Sequence, residues 1–169
     1  KAMSLEELAK VEADVNAYIR QNTAVETRIM TPDDARDLGA QALFGEKYGD
    51  EVRVVSMGRA PTGKGLDKQT YSIELCGGTH TGKTGDIGLF KMVSESSISS
   101  GVRRIEALTG EAALAYIQKT TRLLEDTAHL VKEKPDALTS NVEKILGDFK
   151  ALEKEGHRLK AKSASESAE

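Results

Sequence analysis

The sequence contains no tryptophan, only 4% aromatic residues, three histidines and a single cysteine, Cys76. One cysteine cannot close an internal disulfide, which fits a reducing compartment. No apolar run approaches the roughly 20 residues that a membrane-spanning helix needs. The start at Lys1 shows neither a signal-peptide core nor an initiator methionine. A cytoplasmic protein with no membrane partner is the expectation. Positive charge is also short: 24 lysines and arginines stand against 27 acids, a formal net charge of −3. That balance excludes a uniformly basic nucleic-acid binder and confines any such contact to a local patch. What is present is 38% hydrophobic residues in a chain of 169, enough for one modest aliphatic core and an appendage.

The one cysteine stands four residues before His80, in Cys76-Gly-Gly-Thr-His80. Zinc takes four ligands, or three and a water, from thiolate, imidazole and carboxylate, and this turn offers two of them. Gly77 and Gly78 resist helix and permit a sharp turn leaving a strand. The alternative is a buried cysteine beside a surface histidine. The other histidines, His129 and His157, fall in a C-terminal helical region and are expected on solvent-exposed helix surface.

Local signals divide the rest. Ser4 and Glu7 form a capping box before Leu8, Val11, Val15 and Tyr18, predicting a helix to about Arg20. Val25, Thr27 and Ile29 alternate with Glu26 and Arg28 as in a half-buried strand. Thr31, Pro32, Asp33 and Asp34 open a short helix that stops near Gly39. Strands are expected at 51–57, 70–75, 89–94 and 102–108. The connection 58–69 reads as a mobile loop, and Ser96 to Gly101 as a serine-rich turn. From Glu111 two stripes keep helical spacing: Leu114, Ile117, Leu124, Ala128 and Val131, then Val142, Ile145, Phe149, Leu152 and Leu159. Lys134-Pro135 separates them, with Thr139 or Ser140 available as a cap, and 163–169 is polar enough to fray. The expected architecture is α+β: a mixed or antiparallel sheet with packed helices over 1–110, then an antiparallel helical hairpin over 111–169.

The segments Cys76-Gly-Gly-Thr-His80, Thr84-Gly-Asp-Ile-Gly88, Phe90-Lys-Met-Val-Ser-Glu95 and Gly101-Val-Arg-Arg-Ile-Glu106 resemble the editing domain of alanyl-tRNA synthetases. That domain also occurs in free-standing alanyl-tRNA editing proteins and, more distantly, in threonyl-tRNA synthetases. Residues 4–58, notably Ala42 to Val55, resemble the part preceding the cysteine motif, and 111–162 the helical segment that follows. Against this family the 58–69 connection is an insertion, either decoration or a tRNA contact.

The resemblance implies proofreading: hydrolysis of tRNA(Ala) wrongly charged with serine or glycine, at a zinc site. Cys76 and His80 match two of the family's zinc ligands. The other two come from a His-x-x-x-His motif upstream of the region matched here, which this sequence does not contain. The chain is thus expected to be a piece of an alanine–tRNA ligase, inactive alone, whose ATP-dependent chemistry lies in other domains. Its implied partners are tRNA(Ala), those domains, and a second copy through apolar surface left uncovered.

Several site roles stay open. Zinc would bind water or the substrate's amino group. Cys76 with His80 as base would instead give a covalent nucleophile. Thr79 would donate near the site or cap the turn, and Asp86 would act as a base or as a local backbone acceptor. Lys83, Lys91, Arg103 and Arg104 are candidate tRNA phosphate contacts, against a reading as surface charge with a salt bridge to Glu106. Other functions in view are an inactive tRNA-binding or interdomain scaffold, a structural zinc module, and a free-standing editing protein, the last opposed by the C-terminal stripes.

Overall fold

A computed structural model describes residues 2–41 and 49–166. Residues 42–48 of the Ala42–Val55 segment, and the last three of the tail, lie outside the described residues. The fold is α+β, in two compact units, Lys1–Ala115 and Tyr116–Glu169.

In the first unit, helix α1 spans Leu5–Arg20. The Glu7 N–H donates to Ser4 Oγ at 3.1 Å and the Ser4 N–H to the Glu7 carboxylate at 2.7 Å, so the capping box satisfies two orphan donors. Strand β1 (Glu26–Met30) leads to helix α2 (Pro32–Asp37), capped by Thr31 Oγ1 accepting from the Asp34 N–H. Gly39, at a φ of 78°, turns the chain out of α2, a conformation only glycine takes at no steric cost. Strand β2 (Val52–Lys64) lies between β1 and β3 (Thr70–Leu75), antiparallel to both. Register places Arg28 opposite Val54, and Ser56 opposite Ile73. The core is small: Ala35 of α2 with Val52, Val54 and Ile73, flanked by Met30, Ala40 and Leu75. Burying each larger aliphatic side chain there contributes about 1.5–3 kcal/mol.

Three expectations change here. Strand β1 is not half-buried, since Ile29 is 69% exposed and only Met30 is partly covered. The 58–69 connection is mostly strand: β2 continues through a bulge in which Arg59 and Lys64 both oppose Thr70, leaving only residues 65–68 as the turn. Pro61, lacking an N–H, sits in that bulge. Gly63 permits the close return, because a Cβ there would stand 2.4 Å from the Thr70 carbonyl oxygen. The turn is docked on α2 by the Gly65 N–H donating to the Leu38 carbonyl at 3.1 Å. Finally, strands β4 (Phe90–Ser99) and β5 (Val102–Thr109) leave only Ser100–Gly101 as a two-residue turn, with Gly101 at a φ of 77°. Ser96 and Ser97 are paired strand residues opposite Arg104 and Arg103.

The edge of β4 away from β5 is covered by polar side chains of α1. Asn16 donates to the Phe90 carbonyl at 2.8 Å and accepts the Phe90 N–H at 3.0 Å, as a neighbouring strand would. Glu12 accepts the Met92 N–H at 2.8 Å and both its oxygens take Lys91 Nζ at 3.0 Å.

Helix α3 spans Gly110–Leu130, and its course past Ala115 belongs to the second unit, together with α4 (Leu138–Glu166). A positive φ at Lys132 and a single 3-10 turn at Pro135–Ala137 join them, and Asn141 donates to the Val131 carbonyl at 3.2 Å. Neither Thr139 nor Ser140 caps α4. The helix starts at Leu138, one residue earlier, and Ser140 Oγ donates back to the Ala137 carbonyl at 2.9 Å. The tail that composition led one to expect frayed is helical to Glu166. The stripe on α4 stays uncovered, with Phe149 57% and Leu152 70% exposed. No described helix is long and apolar enough to cross a membrane.

Candidate metal half-site and its turn

The Cys76–His80 turn leaves the C-terminal end of β3 and is held at its start by one residue of β2. The Cys76 N–H donates to the Arg53 carbonyl at 3.1 Å. In return Arg53 Nη1 donates to the carbonyl of Cys76 at 3.3 Å and to that of Gly78. The Cys76 thiol folds over the turn, 3.6 Å from where a Cβ on Gly78 would stand.

The far end is held by α1 and the segment after it. The Val25 N–H donates to the Gly82 carbonyl at 3.0 Å. Thr84, 3% exposed, accepts the Thr23 N–H at 3.0 Å and donates to the Ile19 carbonyl at 3.3 Å. Its own N–H donates to the Thr23 carbonyl at 2.9 Å. Gly85 lies against Asn22 so closely that a Cβ would stand 2.4 Å from its Oδ1. Neither Arg53 nor Thr84 emerged as a site residue from the sequence. A signal existed for Arg53: it is a charge inside the apolar strand run 52–55, whose Val54 and Val55, on opposite faces, are both buried.

Cys76 and His80 are half-buried, and Thr79 is exposed. Among the described residues Thr79 Oγ1 makes no cap, and no hydrogen bond joins the thiol to His80. His80 Nδ1 is sealed from solvent and has no hydrogen-bond partner among the described residues, an unusual state for a buried polar atom. Thiolate and imidazole are the donor types zinc prefers, so the turn fits two positions of a zinc site. Among the described residues no group of three His, Cys, Asp or Glu side chains gathers to complete it. His129 and His157 are exposed on α3 and α4. Asp86 accepts the Lys83 N–H at 3.0 Å, the backbone role rather than the base role.

The four candidate tRNA-contacting cations divide into two pairs. Lys91 is engaged by Glu12, and Arg103 by a carboxylate that is only 4% exposed, that of Glu95. The partner of Arg103 is therefore Glu95 and not Glu106, which accepts from Ser94 Oγ at 2.8 Å. Lys83 and Arg104 are exposed and, among the described residues, form no ion pair. Burial raises the Glu12 pKa, but the Lys91 hydrogen bond, the Met92 N–H and the lysine charge together leave it below the usual carboxylate range. The Arg103 hydrogen bond likewise holds Glu95 low, against burial.

A separate open cavity of about 510 Å³ lies on the β1–β2–β3 face, lined among others by Arg28, Ser56, Leu66 and Asp67. Neither Cys76 nor His80 lines it.

Residues 52–106 match the family described as the threonyl and alanyl tRNA synthetase second additional domain. An alanine–tRNA ligase of Ruegeria sp. (strain TM1040) is 58% identical over 164 residues, 97% of this chain and 19% of that protein. That of Dinoroseobacter shibae is 61% identical over 165 residues, with the same shares. The chain belongs to the alanyl-tRNA synthetase family. A further member, the alanine–tRNA ligase of Paracoccus denitrificans, is 62% identical over 143 residues, 84% of this chain and 16% of that protein. The chain spans about a fifth of the length of these synthetases. The matched domain holds β2, β3, the Cys76–His80 turn and most of the β4–β5 hairpin, while the α1 residues anchoring that turn and β4 precede it.

Proposed function

We propose that this chain is part of an alanine–tRNA ligase of the cytoplasm, and that its first unit carries half of an editing site hydrolysing tRNA(Ala) mischarged with serine or glycine. The supporting observation is the buried His80 Nδ1, without a partner among the described residues, on a turn that also carries the half-buried Cys76 thiol. Cys76 as thiolate and His80 as neutral imidazole are two zinc ligands, and the remaining two come from outside this chain. When bound, zinc supplies a cationic centre that orients the esterified amino acid or acidifies a water beside it. The role of Cys76 is ligation and not nucleophilic attack, because its thiol has no hydrogen-bonded base among the described residues. Thr79, exposed beside the pair, is a hydroxyl donor toward the ester. Lys83 and Arg104 approach tRNA phosphates; ATP and alanine activation belong to other domains of the ligase.

A scaffold that binds tRNA without hydrolysis is the second reading, favoured by the lack of a third donor among the described residues. The two separate in the ligase carrying Cys76→Ala or His80→Ala. Editing predicts that serine release from Ser-tRNA(Ala) falls about 10- to 100-fold or more while alanine charging is retained. Undiminished serine release in both variants selects the scaffold.

A further inference from the structure

We infer that Arg53 is the positioning residue of the Cys76–His80 turn, an inference that rests on the metal half-site reading. The turn is flexible by composition: two of its five residues are glycine, and ordering each residue costs about 1–2 kcal/mol, more for glycine. Three hydrogen bonds to one residue oppose that freedom. Arg53 Nη1 holds the carbonyls of Cys76 and Gly78, and the Arg53 carbonyl takes the Cys76 N–H. Among the described residues no carboxylate pairs with this guanidinium, so its donors are directed at the turn and not spent in a salt bridge.

Both carbonyls are taken by the one nitrogen Nη1, whose two N–H bonds are fixed in the guanidinium plane, whereas a lysine ammonium is a rotating point donor on a flexible stem. With the far end docked through Thr84, the two donors are carried on a turn fixed at both ends. A ligand's apparent affinity is its intrinsic affinity multiplied by the fraction of molecules in the competent conformation. Releasing the Arg53 end lowers that fraction without touching a ligand.

The test compares the wild-type chain with Arg53→Lys, Arg53→Met and Cys76→Ser. Zinc affinity is read by competition with a chromophoric chelator, and amide exchange at residues 76–80 by NMR. Zinc binding weakened about 10- to 100-fold in both Arg53 variants, with exchange faster in the turn and unchanged in the β4–β5 hairpin, is the expected result. Arg53→Lys retains the charge, so the loss there identifies the fixed donor geometry of the guanidinium nitrogen. Zinc bound equally by wild type and both Arg53 variants overturns the inference and leaves the half-site reading standing. If the wild-type chain binds no zinc, the two donors do not hold the metal without the ligands from outside the chain, and exchange decides alone. Acceleration confined to the turn upholds Arg53 as its anchor, and unchanged exchange rejects it. Should Arg53→Met unfold, the same readings are taken from Arg53→Lys.

Discussion

At the scale of single residues, Thr84 does the most for its size. Its hydroxyl is almost fully buried and both accepts and donates, tying residues more than 60 positions apart. Thr84→Val keeps the shape but leaves the Thr23 N–H without its acceptor, a loss of about 1–3 kcal/mol. Urea unfolding checks it: a lower midpoint at unchanged slope, with Thr84→Ser close to wild type. Nothing in the sequence marks this role, because its partners lie on and just after α1. That Cys76 and His80 share one short turn, by contrast, was legible, because only two glycines and a threonine separate them. The turn cap read for Thr79 is not made among the described residues, since a hydroxyl's partner depends on geometry that spacing does not fix.

At the scale of elements, whatever local chemistry decides was readable. The Ser4–Glu7 box and the Thr31–Pro32 start each act within one helical turn, and both helices begin where those residues place them. The continuation of β2 past Gly58 was hidden because its partner is Thr70, across a bulge, and the serines of β4 read as a turn until Arg103 and Arg104 pair with them. The α1–β4 junction is electrostatic and therefore pH-dependent. The folded-state pKa of Glu12 lies below its unfolded value, so its contribution is present above the ordinary glutamate range and is lost as pH falls through the folded pKa. Glu12→Gln is expected to lower stability by about 1–2 kcal/mol at neutral pH. The gap from wild type should close as the medium is acidified below that range, and a gap constant with pH would contradict the assignment.

At the scale of the whole molecule, a chain of net charge −3 offers an anionic partner a local patch and not a uniformly basic surface. Glu12 and Glu95 engage two of the four candidates, Lys91 and Arg103. Lys83→Gln and Arg104→Gln are expected to weaken tRNA binding and to reduce its salt slope by about one each. Lys91→Gln and Arg103→Gln should instead register in thermal melting. Equal salt slopes for all four variants would remove the division. The helical stripes were readable as stripes, but their exposure was not, because spacing marks a helix face without showing whether it is covered; Phe149 and Leu152 stay exposed.

The central claim is that Cys76 and His80 take one metal ion together, and cobalt titration reads it at the ligands themselves. Co²⁺ added to the metal-free ligase that carries this chain is expected to give a thiolate-to-metal charge-transfer band that is absent in Cys76→Ser, diminished in His80→Ala and abolished by excess zinc. A wild-type spectrum without that band, or a band that survives Cys76→Ser, would contradict it.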